Sequence, residues 1–199
     1  MVRHNVEHYY SEKQHSVLTE KTLDVTLFGA RLSFVTPSGV FSFGHIDKGS
    51  LLLVEAVVLE NQRVLDFGCG WGFVGVIVKK RFSGCAVTLT DVNERALHYA
   101  ATNARKNHVS VHVVKSNLFS GLHEFDAILV NPPMHAGREI CYSLIEQAKQ
   151  HLSVGGKLYL VALHNKGGAM LEKKMNDVFG NVQTAAKKGG FRVYVATNQ

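Results

Sequence analysis

From residue 62 onward, short apolar segments that fit β-strands alternate with segments that fit α-helices. RVLDF (63–67) and AVTLTD (86–91) are typical of buried strands, while GFVGVIVKKRF (72–82) and ERALHYAATNARKNH (94–108) are typical of helices. Strands that are joined through helices lie parallel in one sheet, with helices on both of its faces. The sequence therefore predicts an α/β fold built on a mostly parallel sheet.

The rest of the chain continues this alternation and then ends differently. Further helices are predicted at about 140–152 and 168–179, and further strands at VHVVKS, FDAILVN, KLYLVALH, NVQTAAKK and FRVYVAT. Only Gly189 and Gly190 separate the last two strands, so these strands must form a hairpin. We therefore expect a seven-stranded, Rossmann-like sheet in which one edge strand of the C-terminal hairpin is antiparallel to the rest.

The first 60 residues have a different pattern. Residues 1–20 are polar and irregular, whereas TLDVTLF, ARLSFV and VFSF predict short strands joined by turns. HIDKGSLLLVEAVVLE predicts a helix that Asp47 and Ser50 can cap and that ends near Asn61. We expect residues 1–60 to form a small extension of short strands and one helix, and residues 61–199 to form the main domain.

Composition narrows the class of protein. Hydrophobic residues make up 46% of the 199 residues, as in globular proteins, and the net charge of +6 is compatible with a polyanionic partner or with an ordinary solvated surface. Cys69, Cys85 and Cys141 lie far apart, so neither a disulfide framework nor a metal site is predicted. The N-terminus has no apolar signal region, and Glu55 interrupts the most apolar stretch. We expect a cytoplasmic protein that does not span a membrane.

A glycine-rich loop, DFGCGWGFVG, follows the first parallel strand. Gly70, Gly72 and Gly75 satisfy GxGxxG, and Asp91 ends the next strand at the spacing expected of a ribose-binding acid. Asp66 discriminates between two classes of ligand, because a carboxylate at the mouth of the loop would repel a pyrophosphate but attract the sulfonium and ammonium groups of S-adenosylmethionine. The loop therefore favours S-adenosylmethionine, and a nicotinamide-dependent oxidoreductase remains the alternative.

Further cofactor-binding candidates lie in the loop and at neighbouring strand ends. Asp91 can bind ribose hydroxyls or cap the following helix, and both roles are compatible if the adjacent Asn93 provides the cap. A polar loop after the next strand would flank the adenine. The additional predicted cofactor residues are Gly68, Cys69, Val92, Ser116 and Asn117.

The strand FDAILV ends in Asn131-Pro132-Pro133-Met134. Two consecutive prolines cannot continue a β-ladder, and each restricts the residue before it to extended geometry. The chain therefore leaves the sheet rigidly, at the end of the strand where open α/β folds bind ligands. Asn131 is predicted to be held in a fixed orientation there.

These motifs together resemble the class I S-adenosylmethionine-dependent methyltransferases. The resemblance rests on the glycine loop, the acid after the second strand, the NPP motif, the LSVGGKLYLV turn and the closing hairpin, and it covers about residue 60 to the end. NPPMHAG and the lead-in FSFGHIDKGSLLL are most similar to the small-subunit ribosomal RNA guanine-N2 methyltransferases and their small stand-alone relatives, which extends the match to about residue 20.

The resemblance implies methylation of an exocyclic amine of a base in RNA, guanine N2 of rRNA or tRNA above all. Asn131, Pro132, Pro133 and Met134 would form the reacting site, and Asn131 would also contact the cofactor. The Asn131 side-chain oxygen and the Pro132 carbonyl would accept the two amine hydrogens, so that the nitrogen lone pair turns towards the methyl donor. Met134 departs from the family, which has an aromatic residue that stacks on the base. Adenine N6, a protein glutamine and a catalytically silent RNA-binding module remain alternatives, and the sequence does not indicate an oligomeric state.

The remaining notable residues have ordinary interpretations. Trp71 is expected to pack beside the cofactor loop rather than to stack on a base, and the basic clusters at helix ends and turns are expected to be solvated surface. If RNA is the substrate, the cations nearest the carboxyl ends of the strands should matter most. His135 and Arg138 follow the NPP motif and are the candidates for phosphate contacts.

Overall fold

The computed structural model describes residues 17–199, so most of the segment predicted to be irregular, residues 1–20, lies outside the described residues. The α-helices are α1 (Lys48–Ala56), α2 (Phe73–Arg81), α3 (Glu94–Lys106), α4 (Arg138–Gln150) and α5 (Ala169–Phe179). The strands are β1 (Glu20–Leu27), β2 (Ala30–Pro37), β3 (Arg63–Phe67), β4 (Ala86–Asp91), β5 (His112–Lys115), β6 (Phe125–Val130), β7 (Leu152–Leu163), β8 (Gln183–Lys188) and β9 (Phe191–Thr197).

Seven of these strands form the predicted α/β sheet, in the order β5-β4-β3-β6-β7-β9-β8. β5, β4, β3, β6 and β7 are parallel, and β9 pairs antiparallel with both β7 and β8. The antiparallel strand is β9, which lies inside the sheet, so the prediction that the antiparallel strand would lie at the edge was wrong. α5 carries the chain past the place next to β7, so β8 lies at the edge and runs parallel to β7, and the Gly189-Gly190 turn returns β9 into the gap between them.

The N-terminal part contains one hairpin instead of three strands. β1 and β2 pair antiparallel as a separate two-stranded sheet, but VFSF, residues 40–43, forms turns and not the predicted strand. Ser42 and Gly44 both have positive φ angles, 63° and 75°, so the backbone bends there and cannot extend. The bend carries Phe41 to Trp71, whose indole Nε1 donates to the Phe41 carbonyl at 3.0 Å.

Helix α1 is capped as predicted but ends five residues before Asn61. The Asp47 carboxylate accepts from the Ser50 backbone N–H, whereas the backbone at Val57 is already extended. In an extended segment alternate side chains point the same way. Val57 and Leu59 are consequently buried while Val58 is 81% exposed, an arrangement that a continued helix would not provide.

The division of the chain near residue 60 stays a prediction. α1 packs against α2, β7 and β9, and a single hydrophobic cluster contains residues from both sides of that position, for example Phe34 and Val193. The β1–β2 hairpin is joined to α3 by Asn103, whose buried amide bonds to both backbone groups of Val35.

The parallel strands determine where a site can form. The carboxyl ends of β3, β4, β5, β6 and β7 meet at one edge of the sheet, because these strands point the same way. The loops that follow β3, β4, β5 and β6 at this edge are those that the sequence singled out.

Candidate active site

A cavity of about 450 Å³ opens at this edge of the sheet. Ten of the thirteen predicted site residues line it, and they come from loops that are far apart in the sequence. These residues are Gly68, Gly70, Asp91, Val92, Ser116, Asn117, Asn131, Pro132, Pro133 and Met134. The structure therefore brings the predicted cofactor loop and the NPP motif together in one cavity.

The glycine loop forms one wall of the cavity and has the left-handed backbone that favours glycine. Gly68 and Gly70 have φ angles of 66° and 54°, and a Cβ atom placed on Gly68 would have no neighbour within 4 Å. Gly72 has another function, since a Cβ atom there would lie 3.0 Å from the α3 backbone at Ala100. It allows close packing at the start of α2 and, unlike Gly68 and Gly70, is not among the described residues that line the cavity.

Asp66 lies beneath the loop and not in the large cavity. Its side chain is buried, and Oδ2 accepts from the Gly75 backbone N–H at 2.8 Å. Burial raises the pKa of Asp66 to about 7; the hydrogen bond from Gly75 opposes this shift and the charge of Asp91 adds to it. Asp66 lines a second, small cavity of about 40 Å³, together with Cys69, Gly68, Gly70 and Asn131. Cys69 is itself buried, and burial raises the pKa of its thiol.

Asp91 is positioned at the cavity wall by backbone groups. Its two carboxylate oxygens each lie 2.9 Å from a backbone nitrogen, that of Gly70 and that of Asn93. Asn93 caps α3 by accepting from Arg95 and Ala96, which confirms that the cap is Asn93 and not Asp91. Burial raises the pKa of Asp91, against the effect of these hydrogen bonds.

The loop after β5 contributes a buried and an exposed polar residue. Ser116 is buried, and its hydroxyl lies 2.9 Å from the carbonyl oxygens of Leu118 and Ser120, so it stabilises the loop. Asn117 is exposed and lines the cavity. The geometry therefore assigns loop structure to Ser116 and leaves the adenine contact as a prediction for Asn117.

The NPP motif forms the opposite wall. Asn131 Nδ2 donates to Asp47 Oδ2 at 2.9 Å and to Ser50 Oγ at 3.0 Å. The Pro132 carbonyl accepts from Met134 N–H at 2.9 Å around Pro133, whose φ and ψ of −74° and 80° are close to an inverse γ-turn. Among residues 17–199, no donor occupies the second lone pair of this carbonyl or the Asn131 side-chain oxygen, so both can accept hydrogen bonds.

Asp47 is a site residue that the sequence indicated only as a helix cap. It also lines both cavities and binds the Asn131 amide. Asp47 and Asn131 are 84 residues apart, and the cap fully accounts for an Asp at that position. Lys166, from the turn after β7, also lines the large cavity and was not singled out.

The other predicted residues divide between packing, the mouth of the cavity and the far side of the sheet. Trp71 is 3% exposed and packs against Phe34 and Phe73, which confirms the packing interpretation. His135 lines the cavity. Two of the basic clusters, residues 79–81 and residues 105–106, end helices α2 and α3. These helices run back from the cavity edge, so the two clusters lie at the opposite edge of the sheet.

The described part of the chain contains neither a membrane-spanning helix nor a cluster of metal-binding side chains. Within residues 17–199, none of the helices has both the length and the apolar composition needed to cross a membrane. In the same part of the chain, no group of three or more His, Cys, Asp and Glu side chains is arranged to hold a metal ion.

Comparison with known proteins gives a family. The family described as methyltransferase small domain matches residues 31–195. The chain is 33% identical over 196 residues to the protein YbxB of Bacillus subtilis, covering 96% of this chain and 98% of YbxB. It is 35% identical over 177 residues to ribosomal RNA small subunit methyltransferase C of Haemophilus ducreyi, covering 84% of this chain and 52% of that protein.

Solved structures agree with the fold. The 16S rRNA N2 G1207 methyltransferase of Thermus thermophilus, solved with AdoMet and guanosine, superposes with a TM-score of 0.78 at 24% identity, over 92% of this chain and 51% of that one. The chain spans about half the length of these rRNA methyltransferases. With its glycine loop, NPP motif and shared cavity in the expected arrangement, this chain belongs to the methyltransferase small domain family.

Proposed function

We propose that this protein transfers the methyl group of S-adenosylmethionine to an exocyclic amine of a base in RNA, with guanine N2 of ribosomal or transfer RNA as the substrate group. The observation that carries this proposal is the orientation of Asn131. Its amide nitrogen is occupied by Asp47 and Ser50, so its oxygen is the atom left to accept a hydrogen bond from a substrate.

The residues around the glycine loop fit a cationic cofactor. Asp66 is buried and Asp91 is half-buried, burial raises the pKa of both, and within residues 17–199 neither forms an ion pair with Lys or Arg. Adding a pyrophosphate beside two such carboxylates would be unfavourable, whereas a ligand with positive charge would stabilise their ionised forms. Thr90, which also lines the cavity, has a buried hydroxyl with no hydrogen-bond partner among the described residues.

Each cofactor-binding residue then has a stated task. Asp91 would accept hydrogen bonds from the ribose hydroxyls, Gly68 and Gly70 would allow close approach to the loop, and Asn117 would bind the adenine edge. Asp66 would act through its negative charge beneath the loop. When bound, S-adenosylmethionine supplies a methyl group on a positively charged sulfonium.

The NPP motif would prepare the amine. An exocyclic amine of a purine is a weak nucleophile because its lone pair is delocalised into the ring. Asn131 Oδ1 and the remaining lone pair of the Pro132 carbonyl would accept its two hydrogens and turn the lone pair out of conjugation. Positioning of this kind accounts for large rate effects without an activated side-chain nucleophile. The proton released by the methylated amine can pass to water.

RNA as the substrate is supported by charge and by the relatives. The chain carries a net charge of +6, and His135 and Lys166 line the cavity, so they are the candidates to contact the phosphates that flank a bound base. Several relatives are named ribosomal RNA small subunit methyltransferase C. We place the protein in the cytoplasm on the same basis, as the compartment in which bacterial ribosomal RNA is modified.

Nucleoside mass spectrometry tests the proposal. RNA from cells with and without the gene is digested, and the strain that lacks the gene is complemented with the wild type or with Asn131→Ala. We expect the loss of one N2-methylguanosine, restored by the wild type alone. Loss of a methylated adenosine would redirect the substrate to adenine N6, and an unchanged nucleoside profile would contradict RNA as the substrate.

The effect of Asn131→Ala on the methylation rate can be measured with the purified protein. Asn131→Ala removes one preorganised acceptor, so single-turnover methylation of in vitro transcribed small-subunit rRNA is expected to slow by roughly a hundred- to a thousandfold. S-adenosylmethionine affinity, measured by calorimetry, should stay within about twofold, since the loop residues are untouched.

A further inference from the structure

We infer that Asp47 is a positioning residue, whose carboxylate determines which end of the Asn131 amide faces the cavity. The inference rests on the proposed function, in which the amide oxygen is the reacting acceptor. Asp47 Oδ2 lies 2.9 Å from Asn131 Nδ2, and both residues line the large cavity.

The polarity of the pair follows from hydrogen-bond chemistry. A carboxylate can only accept, whereas an asparagine amide offers a donor at one end and an acceptor at the other. The reversed amide would put Asn131 Oδ1 against Asp47 Oδ2, two acceptors without a hydrogen between them. Asp47 therefore selects the rotamer that leaves Oδ1 to accept from a substrate.

Ser50 contacts the same nitrogen but cannot make this selection. Its hydroxyl lies 3.0 Å from Asn131 Nδ2, and a hydroxyl can either donate or accept. The Ser50 side chain would tolerate both orientations of the amide. This difference makes Ser50 a matched control for Asp47.

The carboxylate is itself fixed by a rigid element. Asp47 Oδ2 also accepts from the Ser50 backbone N–H at 2.7 Å, as the N-cap of α1. α1 is anchored by Leu52, Leu53 and Val54, which are buried. At Gly49 an added Cβ atom would lie only 2.9 Å from the Phe191 ring, so the first turn of the helix is closely packed. The orientation of Asn131 is thus determined by a helix outside the strand that carries it.

Three substitutions separate this function from capping. Asp47→Ser keeps a good N-cap oxygen for the Ser50 N–H, but its side chain is too short to reach Asn131. Asp47→Asn keeps an acceptor of the same shape for both contacts. Ser50→Ala leaves the Asp47 carboxylate in place. The rate of single-turnover methylation of small-subunit rRNA transcript and the affinity for S-adenosylmethionine are measured for each, with the melting temperature as a check on folding.

We expect Asp47→Ser to slow methylation about ten- to a hundredfold with cofactor affinity within about threefold, because the Asn131 amide is then free both to reverse and to move out of the reacting geometry. Asp47→Asn should keep most of the wild-type methylation rate, and Ser50→Ala should methylate within about threefold of the wild-type rate. The inference is overturned if Asp47→Ser methylates at the Ser50→Ala rate, or if it weakens cofactor binding while the rate at saturation is kept. If Asp47→Ser does not fold, Asp47→Gly takes its place with the same expected results, because glycine is a tolerated N-cap residue and has no side chain to hold the Asn131 amide.

A readout without catalysis separates this inference from the proposed function. In nitrogen-15 labelled protein, the Asn131 side-chain amide protons should exchange slowly in the wild type and in Ser50→Ala, and faster in Asp47→Ser. The Asn131→Ala spectrum identifies the resonances. If the wild type methylates no RNA but this pattern appears, the proposed function fails and the orientation by Asp47 stands; equal exchange in Asp47→Ser and Ser50→Ala removes the orientation itself.

Discussion

Replacing Asp66 by Asn is expected to change how the free energy of unfolding depends on pH. Burial raises the pKa of the Asp66 carboxyl from an ordinary 3.8 to about 7. The folded state therefore holds this proton more tightly than the unfolded state. The stability that results is fully present below pH 3.8 and is lost as the pH rises through about 7, where the folded protein must carry a buried charge.

The size of the effect follows from the two pKa values. Between pH 5 and pH 8 the wild type should lose roughly 2 to 3 kcal/mol relative to Asp66→Asn, which has no proton to lose. Urea unfolding of both proteins without cofactor, in half-unit steps of pH, measures this difference, and the contributions of the other titrating groups largely cancel. A difference that does not change with pH would show that Asp66 is ionised throughout and would refute the argument from burial. Saturating S-adenosylmethionine should move the change to lower pH, since a cationic ligand favours the ionised carboxylate.

Three further results are expected. Asp91→Ala should weaken S-adenosylmethionine binding by about ten- to a hundredfold in calorimetry, because it removes charge-assisted hydrogen bonds to the ribose; unchanged affinity would limit Asp91 to holding Gly70. The apparent KM for RNA should rise steeply between about 50 and 200 mM salt, as counterions compete with Lys and Arg for phosphates, and a flat profile would count against an RNA substrate. Asn103→Ala should lower the free energy of unfolding by about 2 to 4 kcal/mol in urea, because Val35 and Trp71 would lose their amide partner; a loss below about 1 kcal/mol would mean that water replaces the amide.

The alternation of apolar strand segments with helical segments was sufficient to predict the central sheet. The predicted bounds of β3 and β4 match the structure residue for residue, because each is a short apolar run between a polar turn and a loop. Residues 40–43 and 57–61 were misassigned because their local patterns fit a strand and a helix, while tertiary contacts decided otherwise. The position of β9 between β7 and β8 depends on how α5 crosses the sheet, and no local pattern records that.

The candidate site was predictable to the extent that strand ends determine it. Asp91 ends β4 and Asn131 follows β6, two parallel strands on either side of β3, so their convergence at one edge of the sheet could be expected from the sequence. The contact between Asp47 and Asn131 could not, since it depends on where α1 docks against the sheet. A capping signal also gives no indication of a second partner for the carboxylate.

Met134, where the related motif carries an aromatic residue, is matched to the backbone opposite it. Gly167 has a φ of 96°, and a Cβ atom there would lie 2.5 Å from the Met134 methyl group. The long Met134 side chain therefore fits only because residue 167 has no side chain. The methionine side chain is flexible and adapts to its neighbours, so it does not offer the rigid flat face on which a base stacks. Under the proposed function, the orientation of the base would then depend less on stacking and more on the hydrogen-bond acceptors at the NPP motif. We therefore expect the ratio of methylated guanosine to methylated adenosine, counted by nucleoside mass spectrometry, to change more on substitution of Asn131 or Asp47 than on substitution of Met134; a larger change with Met134→Ala would contradict this argument.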